Sequence, residues 1–210
     1  MSIRALFWYD YCIRNSKRYA PPKGYYENTN KRSPSKFLRD AVHQIDNTSK
    51  QALDFGCGGG SETKFLLEHG FSVVAVDGNS ESKNYIVNLL HNERVTFLQS
   101  EFESFVFKKY DLINSSRSLS FIHKNDFAKV MSRLKLALKP SGVFVGDLYG
   151  VNDQWNKDGE TMTFVDKQTV ERLFSDMEIV KLIERGFDGK TADGKPKYWH
   201  TFSFIVKKSS

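Results

Sequence analysis

A chain of 210 residues fits one domain of ordinary size, and 40% hydrophobic with 27% charged residues is a globular composition, which excludes disordered, collagen-like and low-complexity classes. The formal charge of +6 resembles a nucleic-acid signal until it is located: residues 1–40 hold nine Lys/Arg against three Asp/Glu, and the other 170 residues hold twenty-two of each sign. No run approaches the ~18–20 apolar residues of a membrane-spanning helix, and no apolar segment precedes a small-residue cleavage site.

The expectation is therefore a soluble, unsecreted, cytoplasmic chain with no membrane partner and a basic N-terminal arm that is solvated or meets an anion. A mitochondrial transit peptide fits poorly with Asp10 and the aromatic run Phe7, Trp8 and Tyr9. Cys12 and Cys57 are too few for a disulfide framework, and no Cys/His cluster has metal-ligand spacing, so no metal is expected.

In chain order, Ser33-Pro34 reads as a helix start, and Phe37, Leu38, Ala41, Val42 and Ile45 follow helical spacing to an end near Asp46. Ala52, Leu53 and Phe55 form a short apolar strand running into Gly56-Cys57-Gly58-Gly59-Gly60. A helix carrying Phe65, Leu66 and Leu67 stops at Gly70, and the β-branched run Ser72 to Val76 ends at Asp77, completing one β-α-β unit.

The alternation continues with a helix over about 80–91, strands near Val95–Leu98 and Asp111–Asn114, and a helix lined by Phe127, Val130, Met131, Leu134 and Leu138. That helix closes at Lys139-Pro140-Ser141-Gly142, before a strand over Val143–Leu148. Strands separated by helices of this length imply right-handed crossovers and a doubly wound parallel sheet. A helix over Thr169–Phe174 introduced by Asp166 follows. Glu178–Ile183 and His200–Val206 then read as an antiparallel hairpin with a long tip holding Asp188-Gly189 and Asp193-Gly194. The whole chain reads as a single domain, with 1–46 as lid and helix and 51–207 as cofactor-binding core.

The chemistry sits where an open α/β sheet binds ligands, outside the strand carboxyl ends beside the first βα turn. Glycines at 56, 58 and 60 admit a ligand against the main chain. Ser61 stands where a dinucleotide fingerprint has Gly or Ala. Asp54, two residues before the first glycine, can orient the loop or meet an ammonium group. Asp77, twenty-one residues after Gly56, can accept both hydrogens of a ribose diol.

With these acids the sequence resembles the class I S-adenosylmethionine-dependent methyltransferases. Asp54-x-Gly56-x-Gly58-x-Gly60 is similar to the family's first motif and Val73 to Asp77 to its second. Phe97-Leu98-Gln99-Ser100-Glu101-Phe102 resembles the third-strand segment, Tyr110 to Ser115 the fourth motif, and Leu138 to Gly142 the turn before the fifth strand.

A closer resemblance, to the small bacterial branch of tellurite-resistance-type (TehB-like) enzymes, is carried by Tyr25 to Thr29, Gly150 to Trp155, Met162 to Phe164 and Pro196-Lys197-x-Trp199-His200-x-Phe202. Ser141 departs from it, standing where many members have a second glycine.

The resemblance implies a Rossmann-like, doubly wound, seven-stranded and mostly parallel sheet with an antiparallel C-terminal strand. It implies S-adenosylmethionine as cofactor and S-adenosylhomocysteine as its product. On this resemblance the cofactor residues are Tyr26 and Arg32 as a lid, Asp54, Gly56, Cys57, Gly58, Asp77, Gly78, Glu101, Phe102, Asn114 and Ser115. Arg117, Tyr149 and Trp155, with Trp8 and Tyr9, are candidates for a substrate pocket, and Arg117 is equally readable as a surface charge.

No catalytic side chain is assigned, because the sulfonium is already an activated donor and the protein mainly aligns reactants and excludes water. Asn114-Ser115-Ser116-Arg117 lacks the Pro-Pro-aromatic turn of adenine-type N-methylation, and Cys57 lies in the cofactor loop rather than where a cytosine-attacking nucleophile would stand. The five histidines are scattered singly and read as structural, with His123 and His200 the two whose role is most open.

The expected acceptor is a small molecule or metalloid oxyanion, and the expected oligomeric state a monomer or homodimer. A protein- or RNA-modifying role using the basic segment is the alternative, although nucleic acid is not the expected partner. A nicotinamide oxidoreductase comes third, allowed by Asp77 and disfavoured by Ser61 and the terminal hairpin.

Overall fold

The computed structural model describes residue 21 and residues 24–45, 48–158 and 162–209. The basic stretch 1–20, with Trp8, Tyr9 and Cys12, lies outside the described residues, as does Asp46. Among the described residues, the short helices α1 (Tyr25–Asn30) and α2 (Lys36–Val42) precede strand β1 (Gln51–Phe55). The N-cap of α2 is Ser35, whose hydroxyl accepts from the Leu38 amide, rather than Ser33. This corrects the sequence reading by two residues: Pro34 precedes the cap instead of opening the helix.

The chain continues through α3 (Ser61–Glu68), β2 (Ser72–Asp77), α4 (Ser82–Ile86), β3 (Val95–Gln99), β4 (Tyr110–Ser115), α5 (Lys124–Ala137) and β5 (Leu138–Gly150). It ends with β6 (Phe164–Val165), α6 (Lys167–Leu173), β7 (Glu178–Lys190) and β8 (Pro196–Lys207). The helix expected over 80–91 is a turn and a half of α-helix and then a 3-10 turn at Val87–Leu89.

The strands order as β3-β2-β1-β4-β5-β8-β7. All pairs from β3 to β5 are parallel, and β8 is antiparallel to both β5 and β7. The expected mostly parallel, Rossmann-like sheet with an antiparallel C-terminal strand is present. Among the described residues its strand count is eight rather than seven, because two-residue β6 pairs with Tyr149 and Gly150 at the end of β5. A two-residue segment is too short to leave a periodic signal.

Both faces of the central strands are covered, so those strands read as continuous apolar runs rather than alternating ones. Leu53, Phe55, Ile113 and Phe144 pack on one face with Phe127, Val130, Met131 and Leu134 of α5. Ala52, Leu112, Val143 and Val145 pack on the other with Phe37, Leu38 and Ala41 of α2 and Leu66 of α3. Each large apolar side chain so buried contributes about 1.5–3 kcal/mol.

Asp166 caps α6 as expected, accepting from the Thr169 amide at 2.7 Å. The hairpin departs from expectation. Both strands run on, with Lys190 paired to Pro196, so Asp188-Gly189 lies within β7 and the tip is only residues 191–195. That tip reaches the other end of the described chain, where Asn28 Nδ2 of α1 donates to the Ala192 carbonyl at 3.1 Å.

Candidate functional site

The strand order reverses between β1 and β4, and the glycine turn leaves β1 at that point. The Gly56 and Cys57 amides both donate to the Val76 carbonyl, at 2.8 and 2.9 Å, which folds the turn across the end of β2. Gly56, Gly58 and Gly60 all have positive φ. At Gly58 an added Cβ would meet nothing within 4 Å, so this backbone faces open space. At Gly59 it would lie 2.6 Å from the Asn30 amide nitrogen and 2.7 Å from the Tyr26 carbonyl oxygen, so only glycine lets α1 lie directly on the turn.

The buried Asp54 carboxylate is committed to scaffolding. It accepts from Thr63 Oγ1 at 2.5 Å and from Asn114 Nδ2 at 2.8 Å, tying β1 to α3 and β4. Burial, with Glu62 close by, pushes its pKa up to about 7. Of the two roles allowed by the sequence, orienting the loop is the one these bonds perform.

Asp77 caps the turn, with Oδ2 accepting from the Gly58 amide and Oδ1 from the Asn79 amide, each at 2.9 Å. A carboxylate has about four acceptor sites, so capacity for a diol remains. Burial holds the Asp77 pKa above its ordinary value, and Glu101 adds to the shift. A Cβ on Gly78 would meet the Glu101 carboxylate at 2.9 Å, so these two adjoin. Phe102 packs on Phe55 with ring centroids 4.5 Å apart, and Ser115 Oγ donates to the Phe55 carbonyl.

The Cys57 thiol is buried 3.5 Å from Ser82 Oγ, and burial raises its pKa, the opposite of an activated nucleophile. Tyr26 is buried with its ring 5.5 Å from that of Tyr85, which fixes α1 against α4. The sequence-selected residues from Asp54 to Ser115 thus gather around one turn, with Tyr26 packed over it.

Arg32, Arg117, Tyr149 and Trp155 gather elsewhere, in a cleft of about 750 Å³ between α1–α2, the end of β5 and the long hairpin. Arg117 has a left-handed backbone, φ 58°, just after β4. Its guanidinium meets Glu62 at 3.0 Å, and its amide donates to Asp147 on β5 at 3.3 Å. Burial opposes the charge on Arg117, but Glu62 and Asp147 outweigh it and leave the pKa above the ordinary value.

Sequence reasoning missed the hairpin's share of this cleft. Lys181, Ile183, Arg185 and Phe187 of β7 line it together with Trp199, Thr201 and Ser203 of β8. A signal existed, because the β7 residues alternate strictly and so project from one face of the strand. Behind the aromatic wall, Lys197 is buried against Tyr149, Trp155 and Trp199 and pairs with Asp153 at 2.6 Å.

The two open histidines have structural partners. His123 Nδ1 accepts from the Asn125 amide as the N-cap of α5, and His200 bridges Glu184 and the Asn152 amide. Among the described residues no His/Cys/Asp/Glu group could hold a metal, and no helix is long and apolar enough to cross a membrane.

A doubly wound sheet with an acid-flanked glycine turn at its switch point and a separate cleft beside it is an architecture that binds a nucleotide-type ligand in the crevice at the strand carboxyl ends. The family model described as "Methyltransferase domain" matches residues 26–187, and the chain belongs to that family. The expectation of S-adenosylmethionine as cofactor agrees with this membership.

Among curated proteins, the human mitochondrial arginine hydroxylase NDUFAF5 is 30% identical over 121 residues, 54% of this chain and 32% of that protein. An uncharacterised methyltransferase of Synechocystis, sll0829, is 27% identical over 97 residues, 45% of each chain. The chain thus spans about a third to under half of the length of these curated relatives.

Among solved structures, TehB from Haemophilus influenzae aligns with a TM-score of 0.73 at 16% identity, covering 88% of this chain and 66% of that one. The 1,6-didemethyltoxoflavin N1-methyltransferase of Burkholderia thailandensis, solved with bound 1,6-didemethyltoxoflavin and S-adenosylhomocysteine, aligns with a TM-score of 0.66 at 16% identity, covering 97% of this chain and 90% of that one. At such identities these likenesses establish the fold.

Proposed function

We propose that this chain is an S-adenosylmethionine-dependent methyltransferase of the TehB-like branch, a single domain acting on a small molecule or metalloid oxyanion. The observation that carries the reading is the pairing of two sites at one edge of the sheet: the acid-flanked glycine turn at Asp54 to Asp77, and the adjoining cleft lined by Arg117 and Tyr149. S-adenosylmethionine, when bound, supplies an activated sulfonium methyl for direct in-line transfer. The chain's own residues have the remaining tasks. In this reading the Gly56 and Gly58 backbone lies against the cofactor, Asp77 accepts the ribose hydroxyls, and Gly78, Glu101 and Phe102 flank the adenine. Asp54, Asn114 and Ser115 hold the turn and β4 in register, and α1 with Tyr26 covers the turn.

The chemistry of the donor set supports the fit. S-adenosylmethionine carries a net positive charge, and the turn is flanked by acids: burial raises the pKa of Asp54 and Asp77, and nearby Glu62 and Glu101 respectively add to these shifts, an environment that a bound cation would relieve. We place the protein in the cytoplasm as a monomer or homodimer. A second reading, modification of a protein, is favoured by the likeness to NDUFAF5, named as an arginine hydroxylase.

Thermal shifts with S-adenosylmethionine, S-adenosylhomocysteine and NADH test the cofactor. A ligand at 100 times its dissociation constant stabilises the native state by about 2.7 kcal/mol. Stabilisation by the two methionine-derived ligands alone is expected, and a shift with NADH alone would overturn the reading. Transfer of labelled methyl to small acids and metalloid oxyanions, against transfer to protein, then separates the two acceptor classes.

A further inference from the structure

Among the described residues, four of the cations lining the cleft form no ion pair. Arg117 is matched by Glu62, Lys181 by Asp40 and Lys195 by Asp193. Arg32, Lys36, Arg185 and Lys190 line the same cleft, and among the described residues none of them forms an ion pair. Arg32 is half-buried. Burial lowers its pKa and neighbouring Arg117 lowers it further, and Glu62, which is already paired with Arg117, offsets this only in part, so the two guanidinium groups face one cleft with a single shared acid between them. A protein that folds two like charges into one cleft gives up stability that a bound anion would restore.

The rest of the wall is aromatic. Tyr149, Trp155 and Trp199 lie with ring centroids 5.4 to 5.8 Å apart, and Lys197 and Asp153 pin them from behind. Phe121 extends this surface 6.2 Å from Tyr149. Such rings offer flat apolar area at little conformational cost. The cleft volume of about 750 Å³ falls within the range of sites for small organic ligands and would be left mostly empty by an oxyanion of a few atoms.

Resting on the methyltransferase reading, we propose that the acceptor is an organic anion with a planar ring, its phosphate or carboxylate held by Arg32 and Arg117 and its ring packed on Tyr149, Trp155 and Trp199. Arginine suits this task because its planar fork binds such groups in a bidentate way and keeps its charge. Arg117 spends one terminal nitrogen on Glu62 and retains donors for a second partner. Arg185 and Lys190 on the exposed hairpin add a field that draws the anion in.

The test titrates the full chain, saturated with S-adenosylhomocysteine, with four probes: phenyl phosphate, benzoate, phenol and inorganic phosphate, read by calorimetry and tryptophan fluorescence. Phenyl phosphate or benzoate is expected to bind at least tenfold more tightly than both phenol, which lacks the charge, and phosphate, which lacks the ring. Arg32→Gln is expected to lower that affinity tenfold or more with an unchanged unfolding midpoint, and Arg185→Gln to lower it less and in a salt-dependent way. Equal binding of phenol and phenyl phosphate, or full affinity in Arg32→Gln, overturns the proposal. Preference for inorganic phosphate over the ring-bearing probes also overturns it and returns the cleft to an oxyanion. S-adenosylhomocysteine affinity is measured separately beforehand, so a failure of the cofactor reading appears there and not in the probe series.

Discussion

The ammonium of Lys197 lies 3.3 Å from the centroid of the Trp199 ring, so the cleft's aromatic wall is braced by a charge from the protein's own β8 strand. The same ammonium lies 4.1 Å from the Trp155 ring and is paired with the buried Asp153, whose carboxylate also accepts from the backbone amides of Trp155 and His200. One ion pair therefore sets both the loop after β5 and the rings that line the cleft.

Lys197→Met is predicted to cost about 3–5 kcal/mol, because Asp153 is left as an uncompensated buried charge. The double variant Lys197→Met with Asp153→Asn is predicted to recover part of that loss, and urea midpoints of the three proteins check it. A single variant as stable as the parent would mean that water already reaches Asp153.

The glycine turn gives a paired prediction. Gly59→Ala drives a methyl group against the backbone of Asn30 and Tyr26 and is expected to cost about 1–3 kcal/mol while releasing α1. Gly58→Ala has free space around the new methyl, so only its left-handed backbone is penalised, by about 1–2 kcal/mol, and α1 stays docked. Hydrogen exchange over residues 25–30 distinguishes the two, with faster exchange expected in the first variant alone.

Asp77→Ala removes the acceptor of the Gly58 and Asn79 amides together with the proposed ribose contact. It is expected to weaken S-adenosylhomocysteine binding about 10- to 100-fold, equivalent to roughly 1.4–2.7 kcal/mol by calorimetry. Normal affinity would remove Asp77 from the cofactor site.

Stability should fall as pH rises from about 4 towards 7. Asp54 has a native pKa of about 7, well above the ~3.9 of an unfolded aspartate, so across this window the native state holds a proton that the unfolded state has lost. The contribution is complete below the unfolded pKa and lost as pH passes the native one, with a limiting slope of about 1.4 kcal/mol per pH unit. Asp54→Asn, which keeps a carbonyl acceptor without a titrating group, is expected to flatten the profile in denaturant melts between pH 4 and 8.

Elements with contiguous signals were legible in the sequence, and the misreadings have local causes. The strands β1, β2 and β4 and the helix α5 were found because burial on both sheet faces, or on one helix face, stamps a period on neighbouring residues. Ser35 displaced Ser33 as cap because both are chemically able to cap and the choice depends on how α2 docks against the sheet. The hairpin was read too short because β7 beyond Ile183 has little apolar burial, so its composition resembles a loop, while the pairing of Arg185 to Lys190 with Pro196 to Thr201 makes it a strand.

By itself the sequence determined the alternation that produces a parallel sheet, the glycine turn, and the acids at 54 and 77. Their spacing along the chain is short enough for local geometry to bring them together. Only the tertiary structure decided the cleft. Arg32, Arg117, Arg185 and Trp199 converge through the strand order and the register of a thirteen-residue hairpin strand, and no local periodicity encodes a juxtaposition between residues so far apart. The same holds for Lys197, a charged residue that alone reads as surface and becomes a buried brace because Asp153, Tyr149 and Trp155 arrive from elsewhere in the chain beside Trp199 of its own strand.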